Sequence, residues 1–153
     1  NERAAAITLS DPFCVNRFRN EFLDLIKSKT MDYVFANIEE VKALYETDDL
    51  NVAVRQLAED AEIAAVTMGA RGAMAIKNGE IVSVPAFPVS NVVDVTGAGD
   101  LFASGFLLAT ARGQSMEEAL KLGCLAASEV ISHYGARPVA DLKALARGEG
   151  IAV

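Results

Sequence analysis

The stretch "VVDVTGAGDLFASGFLLA", Val92 to Ala109, decides how the rest of the chain is read. An apolar run ends at Asp94. A turn with glycines at Gly97 and Gly99 follows, and a second acid, Asp100, opens a long small-and-apolar segment. Glycine accepts backbone conformations that other residues resist. The N–H groups of Ala98, Gly99 and Asp100 can then point at one spot, with the dipole of the following helix behind them. Such a spot binds an anion. The turn is not a P-loop, because no Gly-Lys-Ser/Thr follows. It is not the dinucleotide fingerprint, because Phe102 stands at the last glycine position. Asp100 beside a bound phosphate could accept a proton from a substrate hydroxyl, the general-base role of phosphoryl transfer. A plainer reading competes. In it Thr96 is an N-cap and Asp100 a first-turn acid that suits the dipole.

Composition narrows the field. With 153 residues, 52% of them hydrophobic and 23% charged, the chain can bury a core and is globular rather than disordered. A net charge of −7 argues against a broad nucleic-acid or anionic membrane surface. It does not oppose a local phosphate site made of N–H groups. The longest uncharged stretches, Leu101–Ala111 and Ile81–Val93, are too short to span a bilayer. No nucleic-acid or membrane partner is expected. Cys14 and Cys124 lie far apart and match no metal spacing, so they read as buried packing thiols of a reducing compartment, with the cytoplasm as default. The chain begins at Asn1, directly before an apolar run, and is read as a piece of a longer protein.

Strands are predicted at Arg3–Leu9, Met31–Ala36 and Glu62–Thr67. Asp11 and Pro12 are an N-cap and a first helical residue, and Phe18, Phe22, Leu25 and Ile26 carry one helix on to about Lys29. Further helices are predicted from Asn37 to about Glu46 and over Asn51–Asp60. Asn78-Gly79 between the apolar runs Ala73–Ile76 and Ile81–Val84 is a strong hairpin signal. Then come helices over about Ala98–Arg112, over Ser115–Ile131 with a Ser115/Glu118 capping box, and over Ala140–Ala146. Short strands separated by helices imply an α/β fold, a mostly parallel sheet covered on both faces, with one antiparallel hairpin. Ligands of such sheets sit at the carboxyl ends of the strands. Asn37, Thr67–Gly72 and Asp94–Asp100 all fall there.

At this point the chain resembles a family. "VDVTGAGDLFASGF" is similar to the carboxy-terminal signature of the ribokinase-like (PfkB-type) carbohydrate kinases, roughly D-T-x-G-A-G-D-x-F-x-x-G. The first D-T is spaced here as Asp94-Val95-Thr96. "NIEE" (Asn37–Glu40) resembles the family's N-x-x-E motif, and "VTMGARG" (Val66–Gly72) its T-x-G-x-x-G nucleotide strand. "LSDPF" and "FANIEEVKAL" look closer to adenosine kinase and other nucleoside kinases than to ribokinase.

The resemblance implies a three-layer α/β/α sandwich and an ATP-dependent kinase acting on a nucleoside or sugar hydroxyl. Asp100 would be the base, and the N–H groups of Ala98, Gly99 and Asp100, freed by Gly97 and Gly99, would hold the transferring phosphoryl group. Asn37 and Glu40 would organise Mg²⁺ mostly through water. Thr67, Gly69 and Gly72 would line the ATP phosphates and ribose, with Thr96 nearby. Asp94 and Thr96, with carbonyls near Val130 and Gly135, match where many members bind K⁺. The family chains are about twice as long, so residues 1–153 would be the carboxy-terminal nucleotide-binding and catalytic half, a partial domain. The amino-terminal half, with its lid and acceptor side chains, would be its partner. The resemblance also leaves room for a homodimer.

Other readings stay open. Asn37-x-x-Glu40 is also a capping box. Thr67–Gly72 is also a turn into a hairpin. His133, the sole histidine, lies near a helix end before Gly135, where it would cap the helix or lie near the adenine. A sugar kinase of ribokinase or fructokinase type is one alternative function. A non-catalytic nucleotide-binding module paired with a missing half is another.

Overall fold

The computed structural model describes residues 3–153. Its strands are β1 (Ala6–Thr8), β2 (Tyr33–Asn37), β3 (Ile63–Thr67), β4 (Ala73–Lys77) and β5 (Glu80–Val84), in one sheet of order β1-β2-β3-β4-β5. Its α-helices are α1 (Pro12–Arg17), α2 (Arg19–Lys27), α3 (Ile38–Leu44), α4 (Leu50–Asp60), α5 (Ala98–Ala111), α6 (Met116–Val130) and α7 (Leu142–Gly148). The first three strands are parallel and joined by helices. Only five residues link β3 to β4, and two link β4 to β5. Both links are too short for a crossover, so these neighbours run antiparallel and the sheet is mixed. Asn78 and Gly79 both have positive φ, the turn that matches strand twist.

Burial follows position in the sheet. Val34, Phe35 and Ala36 of β2 are buried in succession, as are Ile63–Val66 of β3. Consecutive rather than alternating burial means both faces are covered. The edge strands β1 and β5 are mostly exposed. Register places Asn37 opposite Thr67 at the carboxyl ends of β2 and β3.

Two compact units emerge. One comprises residues up to Met68 together with Met74–Val82, and the other Gly69–Ala73 with Ser83–Val153. The first packs Leu9, Val15, Ile26, Val41, Leu44, Leu57, Val66 and Ile76 into one core. The second centres on α5 and α6, with Phe102, Phe106, Leu120 and Val130 buried. A methyl group at Gly105 would come within 2.8 Å of the Leu122 carbonyl, and one at Gly123 within 2.9 Å of the Phe102 ring. These two glycines let α5 and α6 approach backbone to backbone.

Several boundaries differ from expectation. The helix read from Pro12 to Lys29 breaks at Phe18, which caps α1 and precedes α2. Asp11 does cap α1, accepting from the Cys14 N–H at 2.8 Å. The helix predicted to Glu46 stops at Leu44, and the last helix begins at Leu142 behind an Asp141 cap. Cys124 is buried, whereas Cys14 is only half-buried. Among the described residues no helix is long and apolar enough to cross a membrane.

Candidate active site

In the first unit, β2 delivers Asn37 straight into α3. The Asn37 side chain accepts from the Glu40 N–H at 2.9 Å. Glu40 answers with both oxygens, accepting from the Asn37 backbone N–H and from its side-chain amide, each at 2.9 Å. The capping-box reading is therefore correct, and helix α3 starts closed. Glu40 is buried, only 5% exposed. Burial raises its pKa, the Asn37 amide opposes this, and the Asp11 carboxylate adds to the rise. Thr67 donates to the Ala36 carbonyl at 3.5 Å, a long bond. Among the described residues no cluster of three His, Cys, Asp or Glu could grip a metal directly. Hard-oxygen chemistry at Asn37 and Glu40 fits a hydrated divalent ion held through water, because their first hydrogen bonds are already made to each other.

In the second unit, a 3-10 turn over Gly69–Arg71 leads to Gly72, whose N–H donates to the Gly69 carbonyl at 3.0 Å. Gly72 has φ +95, and a methyl group there would lie 2.0 Å from the Val84 carbonyl oxygen. No other residue fits. The spacing read as a nucleotide strand thus also has a purely local steric cause.

The glycine turn is built differently from α3. Gly97, not Thr96, is the N-cap of α5, in the left-handed conformation at φ 81, and no side chain caps the helix. This overturns the plainer reading of Thr96. Its backbone N–H instead donates to Asp94 Oδ1 at 2.9 Å. The Ala98 N–H is engaged with the Val95 carbonyl at 3.2 Å. The N–H groups of Gly99 and Asp100 find no protein acceptor among the described residues. The anion hole expected from three amides therefore has two free ones. Asp100 sits exposed in the first turn beside them.

A loop backs this turn. Asp94 Oδ2 accepts from the Gly135 N–H at 3.1 Å. Hydrogen bonds from the Thr96 hydroxyl and amide, and from Gly135, hold the Asp94 carboxyl below its ordinary range. A methyl group at Gly97 would meet the Cβ of Ala136 at 2.7 Å, so the two backbones touch. His133 does not cap α6. Its ring lies 3.2 Å from Glu129 Oε1 and 3.2 Å from the Tyr134 carbonyl. Those contacts, the Tyr134 carbonyl first, raise its pKa. Cys124 is inert packing, its thiol pushed up to about 11 by burial.

Sequence reading missed Glu129. Its side chain is 7% exposed. Oε1 accepts from the Val139 N–H at 2.9 Å and the Ala140 N–H at 2.8 Å, as well as meeting His133. Oε2 is buried without a partner. Burial works against its charge, but the Ala140 and Val139 amides and His133 together hold the carboxyl below its ordinary range. Glu129 also lines a groove of about 710 Å³ with Phe87, Pro88, Ser128 and Leu145, a size small-molecule sites take. An acid in the last turn of a helix opposes the dipole. That misplacement was the available signal.

Comparisons with known proteins now place the chain. Residues 2–142 match the model of the pfkB family carbohydrate kinases. A probable sugar kinase from Rhizobium etli CFN 42 superposes with a TM-score of 0.96 at 50% identity, over 98% of this chain and 46% of that one. An adenosine kinase from Sinorhizobium meliloti superposes at 0.93, also at 50% identity, over 96% of this chain and 45% of its own. Adenosine kinase 1 of Arabidopsis thaliana is 29% identical over 152 residues, 88% of this chain and 43% of that protein. The chain thus spans less than half the length of these relatives. Over that span the signature at Val93–Phe106, the α/β fold and the family match agree, and the chain belongs to the pfkB family of carbohydrate kinases.

Proposed function

We propose that this chain is the nucleotide-binding, catalytic half of an ATP-dependent kinase that phosphorylates an alcohol hydroxyl of a nucleoside, adenosine-like first. The observation that carries the reading is the uncapped start of α5, with free N–H groups on Gly99 and Asp100 and a carboxylate in the same turn. The acceptor oxygen attacks the γ-phosphorus of ATP, and the bond from that phosphorus to the β–γ bridging oxygen breaks. The acceptor proton passes to the Asp100 carboxylate. The Gly99 and Asp100 amides face the charge on the transferring group, in a geometry set before reaction.

Asn37 and Glu40 would hold Mg²⁺ through water, and the ion would neutralise phosphate charge when bound. Thr67, Gly69, Gly72 and Thr96 are assigned to the nucleotide phosphates and ribose, on the resemblance. A K⁺ ion at Asp94 rests on the resemblance alone, since both Asp94 oxygens are engaged with backbone amides. Acceptor side chains, in this reading, come from an amino-terminal half of the longer protein.

A sugar acceptor is the second reading. It is favoured by the solved relative from Rhizobium etli, named a probable sugar kinase, which is as similar to this chain, at 50% identity, as the one named an adenosine kinase. An ATP-turnover assay on the full-length protein with Mg²⁺ decides. The panel is adenosine, other nucleosides, ribose, fructose and their phosphates. Turnover with adenosine alone is the expected result. Turnover with a sugar alone replaces the nucleoside assignment. ATP binding without turnover on any acceptor would favour a non-catalytic module.

A further inference from the structure

The segment Ser132–Ala140 has no regular structure and is largely exposed, yet it touches the glycine turn at two points. Its Gly135 N–H donates to Asp94, whose other oxygen receives the Thr96 N–H. Its Ala136 lies against the backbone of Gly97. An exposed loop that sets the back wall of a left-handed cap needs an anchor of its own. Apolar burial does not supply one, since Tyr134 and Val139 are large side chains left in solvent. The anchor within reach is Glu129. One oxygen, Oε1, takes the consecutive N–H groups of Val139 and Ala140 at the far end of the loop and the His133 ring at the near end.

We propose that Glu129 is a positioning residue, which fixes the Ser132–Ala140 loop and through it the Gly97 cap whose Gly99 and Asp100 amides face the phosphoryl group. It touches no substrate in this scheme. Its effect passes from Oε1 to the 139 and 140 amides, from the held loop to Ala136 and Gly135, and from these to Gly97 and Asp94. The loop is exposed, so the relay runs through these few direct links, the Gly135 hydrogen bond to Asp94 and the close approach of Ala136 to Gly97. The catalytic consequence rests on the kinase reading above, whereas the mechanical relay does not. The placement of the carboxylate supports a purpose beyond helix stability, because an acid in the last turn of α6 works against the dipole. Oε2 is buried but accepts no hydrogen bond, so the loop is held through Oε1 alone. Glutamine can supply that oxygen.

The test is amide hydrogen exchange combined with steady-state kinetics, on the full-length protein and its Glu129→Ala and Glu129→Gln variants. Glu129→Ala should speed exchange at Val139 and Ala140. It should also speed exchange about tenfold at Ala98 and Leu101, whose N–H groups bond to Val95 and Gly97 across the cap. It should lower kcat about tenfold or more while moving the KM for ATP less, because misplacement of the reacting geometry is costly. Glu129→Gln should restore both to within about threefold, by the same argument from geometry.

Faster exchange confined to Val139 and Ala140, with Ala98 and Leu101 unchanged, would overturn the relay. So would a Glu129→Gln variant as impaired as Glu129→Ala. If Glu129→Ala does not fold, Ala136→Gly reads the second link alone. Unchanged exchange at Ala98 and Leu101 in that variant overturns the proposal, and faster exchange supports it. Exchange that spreads as expected in a protein that turns over no acceptor would sustain the relay and remove the kinase reading instead.

Discussion

Helices α3 and α5 each start on a motif that the family resemblance singles out, and they are finished in opposite ways. At α3 the side chains of Asn37 and Glu40 close on each other and on the first backbone amides. At α5 the cap is Gly97, which has no side chain to close anything, and two amides stay open. A closed start fixes carboxylate oxygens in place and suits a hydrated cation. An open start leaves positive amide ends and suits an anion. On the proposed function the closed start would serve the metal ion and the open start the phosphate, each by the charge its own helix start presents.

The largest expected effect strikes the open start. Asp100→Asn keeps the size of the side chain and removes the base. We expect kcat to fall about 10²- to 10⁴-fold while ATP binding, measured by titration calorimetry, is retained. Near-normal turnover would end the base assignment.

Gly97→Ala comes next, because it forces a side chain onto φ 81 and into Ala136 at 2.7 Å. The backbone term alone costs about 1–2 kcal/mol. The cap should shift enough to weaken ATP binding and lower the melting temperature together. The reverse experiment, Asn37→Ala, opens the closed start. It should cost about 1 kcal/mol in denaturant unfolding, as loss of a good N-cap does. On the proposed role it should also raise the Mg²⁺ concentration needed for half-maximal turnover. Loss of stability with an unchanged Mg²⁺ requirement would reduce the box to a cap.

The smallest effect concerns a second closed start, at α6. Ser115 and Glu118 form a capping box, and the Ser115 amide and then its hydroxyl hold the Glu118 carboxyl below its ordinary 4.5. A lowered folded pKa means that this contribution is fully present above about 4.5 and is lost as pH falls through the folded value. The carboxyl resonance of Glu118 should therefore titrate below 4.5, and Ser115→Ala should bring it back up. An unshifted midpoint in the native protein would mean that the box is open in solution.

Closed starts were legible in the sequence because their chemistry is local. Ser115/Glu118, Asn37/Glu40 and the Asn78-Gly79 hairpin each declare themselves within four residues, and the structure has all three. The open start was legible as a glycine turn, but not which residue would cap it. Thr96 is the better cap by residue type, yet Asp94 takes its amide and turns the chain, leaving the cap to Gly97. The break at Phe18 was hidden because apolar spacing reports which side faces the core, not whether the backbone ladder is continuous. Glu129 was hidden because the two amides it holds lie ten and eleven residues on, in a loop whose path no local rule sets.

The most direct measurement follows the backbone amides of Gly99 and Asp100 by NMR in the full-length protein, as ATP and Mg²⁺ are added without acceptor. The Glu118 amide serves as the closed-start control. Gly99 and Asp100 should shift with ATP occupancy while Glu118 stays in place. Saturable ATP binding that moves resonances elsewhere and leaves both open amides unchanged would contradict it.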